Sequence, residues 1–340
     1  MYFLILVCNS LKVAVLMPGN VSDFGYNYAI FNGIQELKQN IPEVEVNYTE
    51  SVTTSTCISV GSSYITSGFK LLIFPNGPFI PCAQSLAATY PTKYFVIQGP
   101  NITSSHINIG TIFLEGAEDA RFLTGILSSK QGNSHTNKIC VMIPRTPGFR
   151  YSKVNYFWLG SRYIHSHDTF HVGLTANFDD KVSETRVINH FLEIGCDVVI
   201  QHANTIHSQL LVANISKWGI GFASDMGSIV GPSVLSSVQL NWVVPFTYFT
   251  EKVLDSTFTN ETFHSTIFNG GVTTSPYSTE VTNAARRTTD RARVAILSGK
   301  LTKECIGIIQ DLFGKPCITE IELSGLYLDS TITEFDGSQP

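Results

Sequence analysis

The sequence predicts an α/β protein of two Rossmann-like lobes, each built on a parallel sheet, joined by a three-segment hinge. Three observations carry this. Apolar runs alternate with helical patterns along all 340 residues, as repeated βαβ units require. Runs such as Leu71-Leu72-Ile73-Phe74 and Val198-Val199-Ile200 are continuously apolar, as strands covered on both faces should be. The pattern also runs twice, once before residue 114 and again over 138–224.

In order, the expected strands are Lys12–Met17, Val44–Tyr48, Lys70–Phe74, Tyr94–Ile97, Lys138–Ile143, His171–Thr175, Asp197–Gln201, Gly219–Ala223 and Val238–Val243. Amphipathic stretches lie between them, one with Ala120, Leu123 and Leu127 on a face, another with Ile188, Phe191 and Leu192. Leu114–Ala117, Trp242–Pro245 and Phe268–Gly271 read as crossings between lobes. Three crossings make a hinge, which suits a protein that closes on a ligand between two rows of strand ends. The lobes so defined are 12–114 with 245–270, and 115–244 with 271–340. An apolar leader covers 1–11, where Tyr2-Phe3-Leu4-Ile5-Leu6-Val7-Cys8 is too short to span a bilayer and lacks a basic flank. It reads as the remnant of a signal peptide. A lipoprotein signal ending at Cys8 fits less well, because small residues do not precede that Cys. No other segment approaches the length of a membrane span.

Composition narrows the function. Hydrophobic residues make up 43% and charged residues 14%, so the chain can bury sizeable cores. With 22 basic against 27 acidic side chains and no basic stripe, nucleic acid is excluded as a partner. The seven cysteines show no zinc spacing, so no metal is expected. Cys57 with Cys82, Cys140 with Cys196 and Cys305 with Cys317 are candidate disulfides, although sequence does not fix connectivity. Glycosylation tripeptides begin at Asn20, Asn47, Asn101, Asn214 and Asn260, favouring the secretory pathway and an extracellular or cell-surface location.

The most informative stretch is Asp23-Phe24-Gly25-Tyr26-Asn27. It follows the apolar run Val13–Pro18 and opens a helical pattern with Ile30, Gly33, Ile34 and Leu37 on one face. Such a loop lies at the carboxyl end of a parallel strand, where ligands bind in open α/β sheets. Asp23 can cap the helix, Gly25 can let the backbone approach a ligand, and Tyr26 offers a face for stacking. The same residues also fit an ordinary βα turn capped by an Asp.

With those elements in place, the chain resembles the basic membrane protein family of substrate-binding proteins. The family has the type I periplasmic-binding fold and delivers purines or purine nucleosides to transporters. The resemblance covers 12–325 and rests on four blocks. KVAVLMPGNVSDFGYNYAIFNGIQEL resembles the family opening, with its Asp-x-Gly-aromatic-Asn loop. FLEGAEDARFLTGILSS resembles the crossing helix, KVNYFWLGSR a helix of the second lobe, and VVIQHANTIHSQLLVANISKWGIGFASDM two of its strand ends.

The resemblance implies a pocket. Tyr26 stands where the family stacks an aromatic ring on the base, with Asn27 and Asp23 beside it. Asn76 and Gly77 would line the floor, and Asn155 would bond the base edge. Gln201, His202 and Asp225 follow at strand ends, and Gly270 and Gly271 form the last wall. Three departures stand out. Asn177 replaces a Trp, so that the second stacking partner is either Phe178 or missing; Ala223 replaces a ribose-binding Asp; and Asn204-Thr205-Ile206 replaces Thr-Asp-Ser.

A purine needs an aromatic platform plus side chains that donate and accept, and Tyr26, Phe178, Asn27, Asn155 and Gln201 are of those types. Blander roles fit several of them: Tyr26 can pack between helix and strand, and Asn155 and Asp225 can be caps. Trp158, Trp218 and Trp242 read as core or hinge residues. His165, His167 and His171 with Asp168 share no helical face and read as a solvated loop rather than a metal site. Nucleophile elbow, phosphate loop and His-Glu-x-x-His are absent, and the adjacent Asp179 and Asp180 make a poor acid pair. The expectation is therefore binding without catalysis and without a cofactor. A purine base or nucleoside is the ligand, and a membrane permease or a fused receptor segment is the partner. The alternatives are a sensing ectodomain for another small molecule and a nucleoside-cleaving enzyme.

Overall fold

The computed structural model describes residues 10–99, 106–132, 138–145, 150–301 and 332–339. Its chain groups into two compact units. One comprises Met1–Val21, Ile30–Leu114 and Asn241–Ser265; the other comprises Ser22–Ala29, Glu115–Leu240 and Thr266–Pro340.

The chain opens with β1 (Lys12–Leu16), α1 (Tyr26–Asn40), β2 (Glu45–Thr49), α2 (Cys57–Thr66), β3 (Leu71–Phe74), α3 (Ile80–Thr89), β4 (Tyr94–Gln98) and β5 (Ile109–Phe113). The second unit follows with α4 (Ala117–Gln131), β6 (Lys138–Pro144), α5 (Arg150–Arg162), β7 (Thr169–Thr175) and α6 (Lys181–Glu193). It continues through β8 (Val198–Gln201), α7 (His207–Asn214), β9 (Trp218–Ala223), α8 (Gly227–Val230) and β10 (Val234–Leu240). The first unit then gains α9 (Val243–Leu254) and β11 (Thr262–His264). The second gains β12 (Val272–Thr274), α10 (Asn283–Leu297) and β13 (Thr333–Asp336).

The first unit holds a sheet of order β11-β5-β4-β3-β1-β2, parallel throughout. The second holds β12-β10-β9-β8-β6-β7-β13, parallel except for β12, which runs antiparallel to β10. The apolar runs explain the centres of both sheets: β3 and β8 are buried along their whole length. Leu72, Phe74, Phe79 and Phe95 pack in the first core, and Met142, Val187, Phe191 and Val199 in the second. Burial of each such side chain contributes about 1.5–3 kcal/mol.

Disulfides join Cys57 on α2 to Cys82 on α3, and Cys140 on β6 to Cys196 just ahead of β8, with Cα atoms 6.2 and 6.0 Å apart. Cys305, Cys317 and Asn101 lie outside the described residues. In the second unit α4 is buried on nearly every face. It crosses α5 at two glycines: a Cβ on Gly125 would lie 2.2 Å from the Phe157 carbonyl oxygen, and one on Gly160 2.0 Å from that of Phe122. Gly125 and Gly160 of those two sequence blocks therefore serve helix packing.

Three expectations are corrected. The strand expected over Val238–Val243 runs instead over Val234–Leu240. Its Ser236 donates to the Ser275 carbonyl at 2.7 Å and its Ser237 amide to the Ser275 hydroxyl at 2.8 Å, so these polar residues are satisfied inside the sheet. Trp242 then precedes α9, where Pro245 occupies the first turn at no hydrogen-bond cost. β5 went unrecognised because Gly110 interrupts its apolar run; that glycine admits the Phe249 ring, which a Cβ would meet at 2.4 Å. Around His165 the loop reading holds for Ser166 and His167, which are exposed, and fails at Asp168 and at His171, which lies on β7. Asp168 is fully buried and accepts hydrogen bonds from Ser129 and Ser161, both at 2.5 Å. Trp158 and Trp242 are buried, as a core role requires.

Candidate ligand site at the strand ends

Three loops of the second unit meet at the carboxyl ends of β8 and β9: residues 23–27, 202–206 and 222–226. Asp23 organises the first. Its carboxylate accepts from the backbone N–H groups of Gly25, Asn27 and Tyr28 at 2.9, 2.9 and 3.0 Å, and from the Asn27 amide at 2.7 Å. These bonds favour the charged form, but burial outweighs them and pushes its pKa up.

The loop then docks. The Tyr26 amide donates to the Asn204 carbonyl at 3.3 Å, and Phe24 forms an antiparallel bridge with Thr205. A Cβ on Gly25 would lie 1.9 Å from the Asn204 oxygen. Gly25 thus allows chain to approach chain, which corrects the expectation that it opens the backbone to a ligand. Phe24 and Ala223 both carry positive φ, 55° and 71°, and they are tied together: the Ser224 hydroxyl, next to Ala223, donates to the Phe24 carbonyl at 2.6 Å. Non-glycine residues in that region cost on the order of 1–3 kcal/mol each, and such strain collects at binding sites.

The 201–208 loop is braced from below. Thr205 donates to both carboxylate oxygens of Glu184 at 3.0 and 3.1 Å, and the Ser208 amide donates to one of them at 3.2 Å. Burial pushes Glu184 up to about 7. Gln201 donates to the carbonyls of Thr205 at 2.5 Å and Ala203 at 3.3 Å and accepts from Ser208 at 2.5 Å. Fully buried and engaged on both ends of its amide, Gln201 shapes the loop instead of facing a ligand.

The other expected residues fall as follows. Tyr26 is half-buried, and burial of its hydroxyl raises its pKa. Phe178 is half-buried, with its carbonyl accepting from the Asn204 amide at 2.6 Å and its ring 5.9 Å from that of His202. His202 is buried and also packs 4.0 Å from the Phe222 ring; burial holds its pKa well below the usual imidazole range, so it is neutral. Asn155 is fully buried within α5. Asp225 lies beside the strained turn at Ala223 and lines a 310 Å³ cavity with Ser228, Tyr277 and Ser278. Gly270 and Gly271 belong to a turn held by Asn269, whose side-chain oxygen accepts from Thr266 and Gly271 at 2.9 and 3.0 Å. Asn76 and Gly77 belong to the first unit, at the end of β3, where a Cβ on Gly77 would have its nearest neighbour at an ordinary 3.8 Å.

Sequence reasoning passed over Phe24, Ser224, Thr205, Glu184 and Arg121. Arg121 is fully buried on α4, with Glu118 at 3.6 Å and the Phe222 ring centroid at 5.8 Å. A lone Arg in the apolar helix block was the available signal for it.

A family model described as ABC transporter substrate-binding protein PnrA-like (Bmp) matches residues 10–306. The chain belongs to this family. Among relatives, it is 24% identical over 258 residues to metabotropic glutamate receptor-like protein L of Dictyostelium discoideum, covering 73% of this chain and 36% of that protein. It therefore spans about a third of that relative's length. It is 20% identical over 294 residues to a purine-binding protein of Brucella abortus (strain 2308), covering 86% of this chain and 82% of that one. Among solved structures, a solute-binding protein of an ABC transporter system from Conexibacter woesei superposes with a TM-score of 0.73 at 14% identity, covering 86% of this chain and 98% of that one. The family and this neighbour are binding proteins, and the fold of this chain is the periplasmic-binding-protein-like α/β fold. Among the described residues no helix is long and apolar enough to cross a membrane.

Proposed function

We propose that this chain binds a purine base or nucleoside, without catalysis, in an extracytoplasmic location. The observation that carries the reading is the convergence of the strained 23–27 loop on the ends of β8 and β9, in a chain of a substrate-binding family. Tyr26 and Phe178 supply half-buried aromatic faces, and the polar contacts are assigned to Asn27, Asn155, His202 and Asp225. The 270–271 turn of the second unit is assigned a supporting contact. The name of the Brucella relative favours a purine. Stacking contributes about 1–3 kcal/mol per aromatic face, so the amides must carry specificity.

Thermal unfolding against adenine, guanine, hypoxanthine, their nucleosides, sugars and amino acids tests this. A ligand at about 100 times its Kd adds roughly 2.7 kcal/mol of stability. A shift with purines alone is expected; a shift with sugars or amino acids alone would overturn the purine assignment.

The share of the receptor-like relative that this chain covers favours a second reading, a sensing domain within a longer membrane protein, over a permease partner. Membrane-spanning segments in the full transcript would support sensing, and a companion permease would support uptake. The exposed sequon asparagines 20, 47, 214 and 260 favour the secretory pathway.

A further inference from the structure

Arg121 is 2% exposed, and its Nε and Nη1 make no hydrogen bond. A guanidinium carries five N–H donors and keeps its charge, so a buried one ordinarily sits among carboxylates or carbonyls. Here the carboxylate within reach is Glu118, at 3.6 Å, and Glu118 is shared with Lys153, whose Nζ lies 3.2 Å from the same oxygen. Glu118 thus faces both Arg121 and Lys153.

The position of this guanidinium is informative. The guanidinium stands over Phe222, the penultimate residue of β9, and the Phe222 ring contacts the ring of His202 just beyond β8. Arg121 therefore lies under the strand ends on which the 23–27 loop rests. His202, neutral there, adds no third charge.

We propose that Arg121, with Lys153 beside it, anchors an anionic group of the ligand, a carboxylate or a phosphate, at the ends of β8 and β9. The planar fork of Arg121 suits two oxygens at once, and Lys153 adds a point charge. This inference rests on the reading of those strand ends as the ligand site. It goes beyond the base or nucleoside of that reading, to a ligand that also carries a carboxylate or phosphate.

Thermal unfolding of the wild type, Arg121→Met and Lys153→Gln in acetate, inorganic phosphate and adenosine tests it. Acetate or phosphate is expected to raise the unfolding temperature of the wild type, less so that of Lys153→Gln, and not that of Arg121→Met. If Arg121→Met does not fold, the reduced response of Lys153→Gln decides. No response of the wild type to either anion, or a response unchanged in the variants, would overturn the proposal. Stabilisation by adenosine in all three proteins without any anion effect would leave the strand-end site standing and remove Arg121 from it. An Arg121-dependent anion effect without any adenosine effect would do the reverse to the purine reading.

Discussion

Gly25 is the residue with the least freedom in the candidate site. Replacing it by Ala places a methyl group 1.9 Å from a backbone oxygen that cannot rotate away. Gly25→Ala should therefore cost about 2–4 kcal/mol in denaturant unfolding and abolish ligand binding. A stable Gly25→Ala protein would show that the 23–27 loop does not dock on Asn204. Tyr26→Ala should instead leave stability nearly unchanged and weaken purine binding by about 1–3 kcal/mol, read by titration calorimetry. Unaltered affinity would remove Tyr26 from the site. The strand, loop and helix around these residues were legible because an apolar run, an Asp and a helical pattern are local signals. Asn204, which makes Gly25 obligatory, was not legible, since the contact joins segments far apart in the chain. Gln201 misled for a related reason: its type suits a purine, but its partners Thr205 and Ser208 occupy both ends of the amide.

At the scale of elements, α6 braces the β8–α7 loop through Glu184, and this should appear in the pH dependence of stability. Burial raises Glu184 from its ordinary 4.5 to about 7. Between those values the folded protein holds a proton that the unfolded chain has released. The contribution of Glu184 to stability should be greatest below 4.5 and fall by up to roughly 3 kcal/mol as pH rises through about 7. Asp23, also raised by burial, adds to the slope in the same direction. Glu184→Gln should flatten it while keeping the bond from Thr205; an unchanged slope would assign the effect elsewhere. The Cys57–Cys82 bond ties α2 to α3 across 25 residues, so its removal by paired Ala substitutions should cost about 3 kcal/mol in denaturant unfolding. Element type was readable where one signal dominated, as in β3 and β8. It was lost where tertiary partners decide: Phe249 over Gly110 in β5, and Ser275 beside the serines of β10.

For the whole molecule, the family was legible from four blocks in order, and the match over 10–306 bears that out. The ligand was less legible, because Ala223 and Asn177 depart from the pattern and the resemblance assigned no role to Arg121 within the crossing-helix block. The central claim is that the loops at 23–27, 202–206 and 222–226 form the ligand site. Amide hydrogen exchange, with and without the purine that stabilises the protein most, tests it directly. Protection is expected to rise in all three loops and little in α2, α3 and the edge strand β2. Protection confined to other segments, with these loops unchanged, would contradict the site.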